Sequence, residues 1–337
     1  MSELETPRSK AARRPGVGAA PHAVAALPDP ASLVSTTGAA DAPVRVVLAA
    51  VKAKAPPWSG RQLRAMDGAT LLRRMVGACL AQVEPNAAAI VHGSRDPEHV
   101  HQLRIGLRRL RSAARGMAPF AEALPHGWEP AVTPVFDALG QSRDRFVRTT
   151  TLAPRLRAAG AAVAGDDPPS GEDARELARR VGSAAFTGAL GRLRAFADGL
   201  PPDRAGEDGG SGLDLLVRRL RTLSRQVTRH ARHFDELPFE AQHRARKRLK
   251  RLRYLAEFAA PAFAPAEVRR WKRHVSRAQD ALGRHVDRVL AGRHFAELAV
   301  SDPDAWFAVG WLRAKSERSA RAARRALLRL RDVDGFW

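Results

Sequence analysis

A match of the chain to itself constrains its fold more than any other feature. Shifted by 142 positions, His101 falls on His243, Arg104 on Arg246, Leu107 on Leu249, Arg109 on Arg251, Leu110 on Leu252 and Arg111 on Arg253. Ala118-Pro119 falls on Ala260-Pro261 at the same shift. One inserted residue then makes the shift 143. There Phe120 meets Phe263, Trp128 meets Trp271, Val132 meets Val275, Leu139-Gly140 meets Leu282-Gly283, and Asp144-Arg145 meets Asp287-Arg288. Two Arg-rich segments can match by composition alone. An ordered His, Trp, Leu-Gly and Asp-Arg with one insertion at a loop is hard to produce that way. The chain reads as two similar halves, about 60–198 and 211–333, related by a pseudo-two-fold axis.

Both halves have a helical period. From about Leu63 onward no convincing run of period-two alternation occurs, and β-branched residues are scarce. Asp96-Pro97-Glu98 offers an N-cap, a proline at the first helical position and an acid in the first turn, and Asp302-Pro303-Asp304 repeats the device. Ala264-Pro265-Ala266-Glu267 and Leu237-Pro238-Phe239-Glu240 keep the proline and the acid without the cap. Residues 165–173 and 199–212 are polar, Gly- and Pro-rich loops. The expectation is an all-α chain of roughly eight to ten helices, arranged as two four-helix bundles. Residues 1–58, rich in Pro, Ala and Gly, read as a mostly disordered tail, with Val44–Val51 as a short strand or helical turn inside it.

The repeated segment carries a dense charge. In its first copy Val100, Leu103, Leu107, Leu110 and Ala114 form a stripe that faces a core. His101, Arg104, Arg108, Arg111 and Arg115 repeat the same spacing one residue later. One residue is about 100° of helix rotation, so the basic stripe flanks the core stripe and lines a groove between helices. The second copy sets Ala245, Leu249, Leu252 and Ala256 beside His243, Arg246, Lys250 and Arg253, with Glu257 ending the row. A charge run is ordinarily a solvated face laced with i,i+4 ion pairs. Here no acid occurs between Glu98 and Glu122, so the run cannot neutralise itself. Arginine's planar fork suits phosphate oxygens, two at a time. Two such stripes meeting across the pseudo-axis would make a positive cleft or channel for a linear polyanion.

Composition agrees. Lys and Arg total 57 against 35 Asp and Glu, a formal net charge of +22 at a pI near 11.5. A bias toward Arg and Ala explains Arg in place of Lys but not the shortage of acid, which points to a polyanionic partner. The single cysteine, Cys79, forms no internal disulfide and reads as a small buried hydrophobe. No apolar run reaches membrane-spanning length, and no signal-peptide core opens the chain, so a soluble cytoplasmic protein is expected.

Other residues divide between roles. His101 and His243 read either as phosphate donors when protonated or as structural hydrogen bonders. Asp144 and Asp287 read as groups that orient motif arginines or cap helices, with ligation of a phosphate-bound metal as the alternative. Further basic rows, Arg218, Arg221, Arg225, Arg229 and Arg232, then Lys272, Arg273, Arg277, Arg284 and Arg288, are candidates for the same wall. The six tryptophans read as packing anchors, Trp128 and Trp271 above all. The basic amphipathic segment 316–332 reads as packing on the bundle rather than on a membrane.

These pieces resemble the CHAD family, the conserved histidine α-helical domain. The resemblance rests on the HxxRxxxRRLR motif, His101 to Arg111 and again His243 to Arg253. Each copy is followed by LGxxxD, Leu139 to Asp144 and Leu282 to Asp287. Glu84-Pro85-Asn86 and Asp96-Pro97-Glu98 fit the same family, and the likeness runs from about residue 60 to the C-terminus. Lys250 where the first copy has Arg108, and Ala245 where it has Leu103, are modest departures. The resemblance implies two four-helix bundles around a basic central cavity that binds inorganic polyphosphate, and a place on polyphosphate granules. Some members carry a CYTH triphosphate-tunnel domain. No Glu-x-Glu-x-Lys signature occurs here, so neither that domain nor triphosphatase activity is expected.

The leading reading is non-enzymatic polyphosphate binding with no cofactor and no metal. The expected site is His101, Arg104, Arg108, Arg111, Arg115, His243, Arg246, Lys250, Arg253, Arg284 and Arg288. One alternative is a nucleic-acid binder, although aromatics are only 6% and no helix-turn-helix, zinc or RNP-type signature occurs. The other is an enzyme on phosphoanhydrides, which lacks paired carboxylates, P-loop glycines or an HExxH motif here.

Overall fold

The computed structural model describes residues 49–162, 170–199 and 211–337. These contain eleven α-helices and, among the described residues, no strand beyond one isolated bridge between Asp67 and Ser211. The helices are α1 (Gly60–Ala65), α2 (Gly68–Val91), α3 (Pro97–Gly116), α4 (Trp128–Val147), α5 (Ala153–Arg157), α6 (Gly171–Val181), α7 (Ala184–Asp198), α8 (Gly212–Thr228), α9 (Phe239–Ala259), α10 (Pro265–Leu298) and α11 (Ala305–Arg331). α2, α3, α4 and α7 pack in a ring, with α6 across α2, α4 and α7; α8, α9, α10 and α11 form a second ring. α3 lies on α9 and α2 on α8. One hydrophobic core runs through both groups, from Leu71 and Leu107 to Leu249, Leu282 and Leu327.

Local chemistry explains the starts. Asp96 accepts from the Glu98 amide, Pro97 takes the first helical position, and α3 begins there as its sequence predicts. α10 begins at Pro265 with Glu267 in its first turn. α9 begins one residue later than its proline, which serves as the cap. Asp302-Pro303-Asp304 departs from expectation. Asp302 accepts from the Asp304 amide in a turn, and α11 starts only at Ala305.

The expected tail, residues 1–58, lies mostly outside the described residues, as does most of Val44–Val51. Its last ten residues are described, and two of them are anchored. The amide and carbonyl of Val51 pair with the Asn86 side chain at 3.2 and 2.8 Å. Buried Trp58 stacks on Phe258 at 6.1 Å and donates its Nε1–H to the Phe258 carbonyl. The C-terminal end is anchored too. Phe336 and Trp337 meet Trp271 edge-on, at 5.3 and 5.0 Å, past the expected limit at 333.

Trp128 and Trp271 are buried in the core, as read from their matched positions. Trp306 is not an anchor: it is 60% exposed at the start of α11. The 316–332 segment is the second half of α11, which packs on α10, α8 and the turn 231–236. Cys79 is fully buried, and burial pushes its thiol up to about 12, which removes it as a nucleophile at neutral pH. Among the described residues, no helix is long and apolar enough to cross a membrane.

Trp58 ties the first described segment to α9 through a stack and one hydrogen bond. Trp58→Ala is expected to cost about 3 kcal/mol, read as a lower urea midpoint at unchanged slope.

Candidate functional site

α3 is buried on more than one face. Leu103, Leu107 and Leu110 fill the core as their period requires. Gln102, Gly106, Arg109 and Ala113 are buried on the adjoining flank. There Gly106 lets α2 come so close that a Cβ would sit 2.7 Å from Val83. That leaves one face for His101, Arg104, Arg108 and Arg111, which are half-buried, and for exposed Arg115. The stripe therefore lies where its one-residue offset puts it, beside the core and not in open solvent.

α4 organises this stripe. The Phe136 ring lies under three guanidiniums: Arg104 at 4.7 Å, Arg111 at 5.2 Å and Arg108 at 5.6 Å from its centroid. Arg104 also donates to the Phe136 carbonyl at 3.1 Å. Gly140, one turn on, makes room for it: a Cβ there would lie 2.6 Å from Arg104 Nη1. The matched Gly283 stands near Arg246 with more room, 3.9 Å from Nη2. The Leu-Gly of each repeat thus leaves space for the first arginine of its stripe.

The second stripe faces the first. Arg246 and Lys250 of α9 act electrostatically on Arg104, Arg108 and His101 of α3, and Asp287 of α10 lies among them. Burial and the charge of Arg108 hold the Arg104 guanidinium down to about 10, with Asp144 opposing. Lys250 is affected most. Burial, then Arg108 and Arg246, pushes its ammonium down to about 6, against the pull of Asp287. His101 is held below its ordinary value by burial and by Arg143, and His243 by burial and by Lys247. Neither Lys250 nor His101 has a hydrogen-bond partner among the described residues.

Asp287 orients a motif arginine, one of the roles read for it, by accepting from Arg246 at 2.9 Å. Its side chain stays 55% accessible, yet surrounding protein raises its pKa above the usual carboxylate value, with Arg246 and Lys250 opposing. Both facts fit a carboxylate at the wall of a wet recess, enclosed by protein mass but open to water. Among the described residues, no three His, Cys, Asp or Glu side chains gather as a metal set.

Several expectations need correction. The α3 stripe is not wholly without acid, because Glu129 of α4 takes Arg111 at 2.8 Å and Arg115 at 2.9 Å. The run lacks acid in sequence, but the fold supplies one across the helix pair. Arg253 is paired with Glu257 and Gln279. Arg284 is exposed, and Arg288 donates to the Lys315 carbonyl and feels Arg284 and Arg155. Arg284 lies three residues before Asp287 and so on the same side of α10, Arg288 stands about 100° round from Asp287, and the charges acting on Lys250 are Arg108, Arg246, Asp287 and Arg104. Arg218, Arg221, Arg225, Arg229, Arg232, Lys272, Arg273 and Arg277 are exposed on outer faces.

Arg109 belongs to neither stripe. It is 1% exposed, donates to Gln82 Oε1 at 3.0 Å, packs on Phe258 and lies 3.8 Å from Glu257. Its place on the Gln102–Gly106–Ala113 flank was the available signal, since small and amide residues there mark a second buried face. His99 is the structural histidine of the first copy, bound to Ser94 Oγ at 2.7 Å. His285 has that role in the second copy, between Gln242 and Ser319. A separate cavity of about 670 Å³ opens between α3, α4 and α6, and touches the site through Arg143 and Asp144.

The comparisons with known proteins agree with this architecture. The family model of the CHAD domain matches residues 74–296, and the chain belongs to that family. Among solved structures, it is similar to the crystal structure of the CHAD domain from the plant Ricinus communis. Identity is 24% and the TM-score is 0.66, over 83% of this chain and 96% of that one. At that identity the likeness is one of fold. No curated protein matches the chain.

Two outcomes follow from the geometry. Lys250 is proton-poor in the folded chain and protonated in the unfolded one between about pH 6 and its ordinary 10.5. The unfolded state binds more protons there, so Lys250 opposes folding increasingly as pH falls. Lys250→Met is expected to raise the melting temperature at pH 7 by roughly 2–4 °C, with the gain shrinking toward pH 10. Gly140→Ala is expected to displace Arg104 without unfolding the chain, whereas Gly283→Ala leaves its arginine in place. Crystal structures of the two variants would check this.

Proposed function

We propose that the chain binds inorganic polyphosphate between α3 and α9, without catalysis. The observation that carries the reading is the concentration of Arg104, Arg108, Arg246 and Lys250 on facing helices, with Lys250 left without a partner. Such a site is electrostatically incomplete, and a chain of phosphates supplies one negative charge per link along the direction of the two stripes. His101 and His243, about one turn into their helices, extend the row when protonated. Asp287 holds Arg246 in place. Arg111, Arg115 and Arg253 have carboxylates of their own and form the outer part of the site. Binding without turnover is supported by what surrounds the stripes: Asp287 is tied to an arginine, and Cys79 is sealed in the core. A soluble protein held at cytoplasmic polyphosphate granules is the setting this reading implies.

The deciding experiment is titration of the whole protein with long-chain polyphosphate, with and without excess duplex DNA. A variant with Arg104, Arg108, Arg246 and Lys250 changed to Ala is run beside it. Binding that survives DNA and falls at least about 100-fold in the variant is the expected result. Binding that DNA displaces, or that the four changes leave intact, would mean diffuse charge and a nucleic-acid partner, with a steep salt dependence to match.

The pH dependence has a definite sign. A bound polyanion raises the pKa of Lys250, His101 and His243 above their depressed values in the free protein, so the complex takes up protons. Arg104, held down to about 10, stays charged over this range. Affinity is therefore highest near pH 6 and falls as pH rises toward 8. Calorimetry in buffers of different ionisation enthalpy is expected to show net proton uptake at pH 7.

A further inference from the structure

At one matched place the two motif helices carry opposite charges. Arg109 of α3 and Arg251 of α9 correspond at the 142 shift, and so do Arg115 and Glu257. Across the α3/α9 packing, Arg109 has the Glu257 carboxylate 3.8 Å away. At the corresponding place Arg251 has Arg115. The charged groups that act on half-buried Arg251 are Arg115, Arg219 and Arg248, with no acid among them. The position that Glu257 fills for one arginine is thus taken by a fourth cation for the other.

Packing holds these cations together from three helices. The last turn of α3 sits hard on α9, because Gly116 approaches Leu255 so closely that a Cβ would lie 2.6 Å from Cδ2. Arg115 is the residue before it. α8 packs on α9 and brings Arg219, whose Nε is buried without a partner. Arg248 and Arg251 are one turn apart on α9. Glu129 meets one nitrogen of Arg115 and leaves the rest of its five donors available.

We infer that Arg115, Arg219, Arg248 and Arg251 form a second anion site, for a phosphoryl oxyanion, where the corresponding arginine has the Glu257 carboxylate. Forked guanidiniums from three helices can each present two donors to a tetrahedral anion. The site is distinct from the Lys250 site. Arg251 and Lys250 are consecutive, so they point about 100° apart on α9. Arg115, last of the α3 stripe, is the link between them. The anion can be a free phosphate or pyrophosphate, or the continuation of a long chain laid along the stripe.

Pyrophosphate reads this site without relying on the polyphosphate reading of the first. The Arg104→Ala/Lys250→Ala protein is melted with and without millimolar pyrophosphate. A rise of about 3 °C or more is expected, and it is expected to vanish when Arg251→Gln is added. Arg115→Glu, which places an acid beside Arg251 as Glu257 stands beside Arg109, is expected to remove the increment. An increment that is absent in the double variant, or that survives Arg251→Gln, overturns the site. The source of the anion is read from long polyphosphate. A loss of about 10-fold or more in its affinity on Arg251→Gln identifies a continuing chain, and unchanged affinity identifies a free small anion.

Discussion

Cations that cannot neutralise one another are held together here by packing, and most of the structure serves that constraint. Arg104, Arg108, Arg246 and Lys250 would separate in an unfolded chain, where water screens each of them. The seating of α3 on α9 prevents this. Leucines at 103, 107, 110, 249 and 252 fix both helices in one core, and each buried leucine contributes roughly 1.5–3 kcal/mol. Against that, the folded state carries a strained electrostatic site whose clearest sign is Lys250, an ammonium pushed down to about 6. A protein selected for stability alone would place an apolar residue there.

The two halves solve the same problem by different means. In the first, α4 supplies an aromatic face. Phe136 spreads three arginines over its ring, and Glu129 settles the outer two. In the second, the residue matched to Phe136 is Gln279, which accepts from Arg253, while Asp287 takes Arg246. Cation–π contact leaves a guanidinium's edge donors open, whereas a carboxylate occupies them. The α3 side therefore keeps more open donors than the α9 side, and Lys250 offsets this with an amino group that has no partner and gains its proton as an anion binds.

Much of this was legible in the sequence. The helices, the core stripe and the flanking basic stripe follow from period alone, and the shift of 142 places the second stripe without any structure. What the sequence did not reveal was pairing across helices. Glu129 lies 14 residues from Arg115 and one helix away, so a search for acids at i+4 passes over it. Arg288 sits in the right segment of a 34-residue helix but turns to the Lys315 carbonyl, and Arg284 beside it is exposed. Their direction depends on which flank of α10 meets α9, a tertiary fact that α10's own period leaves open. The anchoring of Val51 and Trp58 was hidden for a similar reason. Their partners, Asn86 and Phe258, are interior residues of other helices, and a Pro-rich stretch shows no period to betray them.

Arg109 shows why the stripes face each other at a fixed register. A buried arginine with a carboxylate 3.8 Å away is a weak source of stability, because desolvation offsets most of the attraction. Its hydrogen bonds are directional, however. Arg109 binds Gln82, Gln82 binds Gln102, and Gln102 binds Glu98 at the start of α3, at 3.0, 2.8 and 2.7 Å. On its other side it rests on Phe258 of α9, which also receives Trp58. Leucine contacts tolerate sliding by a fraction of a turn, but this chain of amides does not, since a shift would leave buried donors unmade. The polar relay fixes the register of α3 on α2, and Arg109 carries that register to α9 through Phe258 and Glu257, beside the place where Arg108 and Lys250 face each other. The arginine that points away from the site thereby controls the geometry of those that point into it.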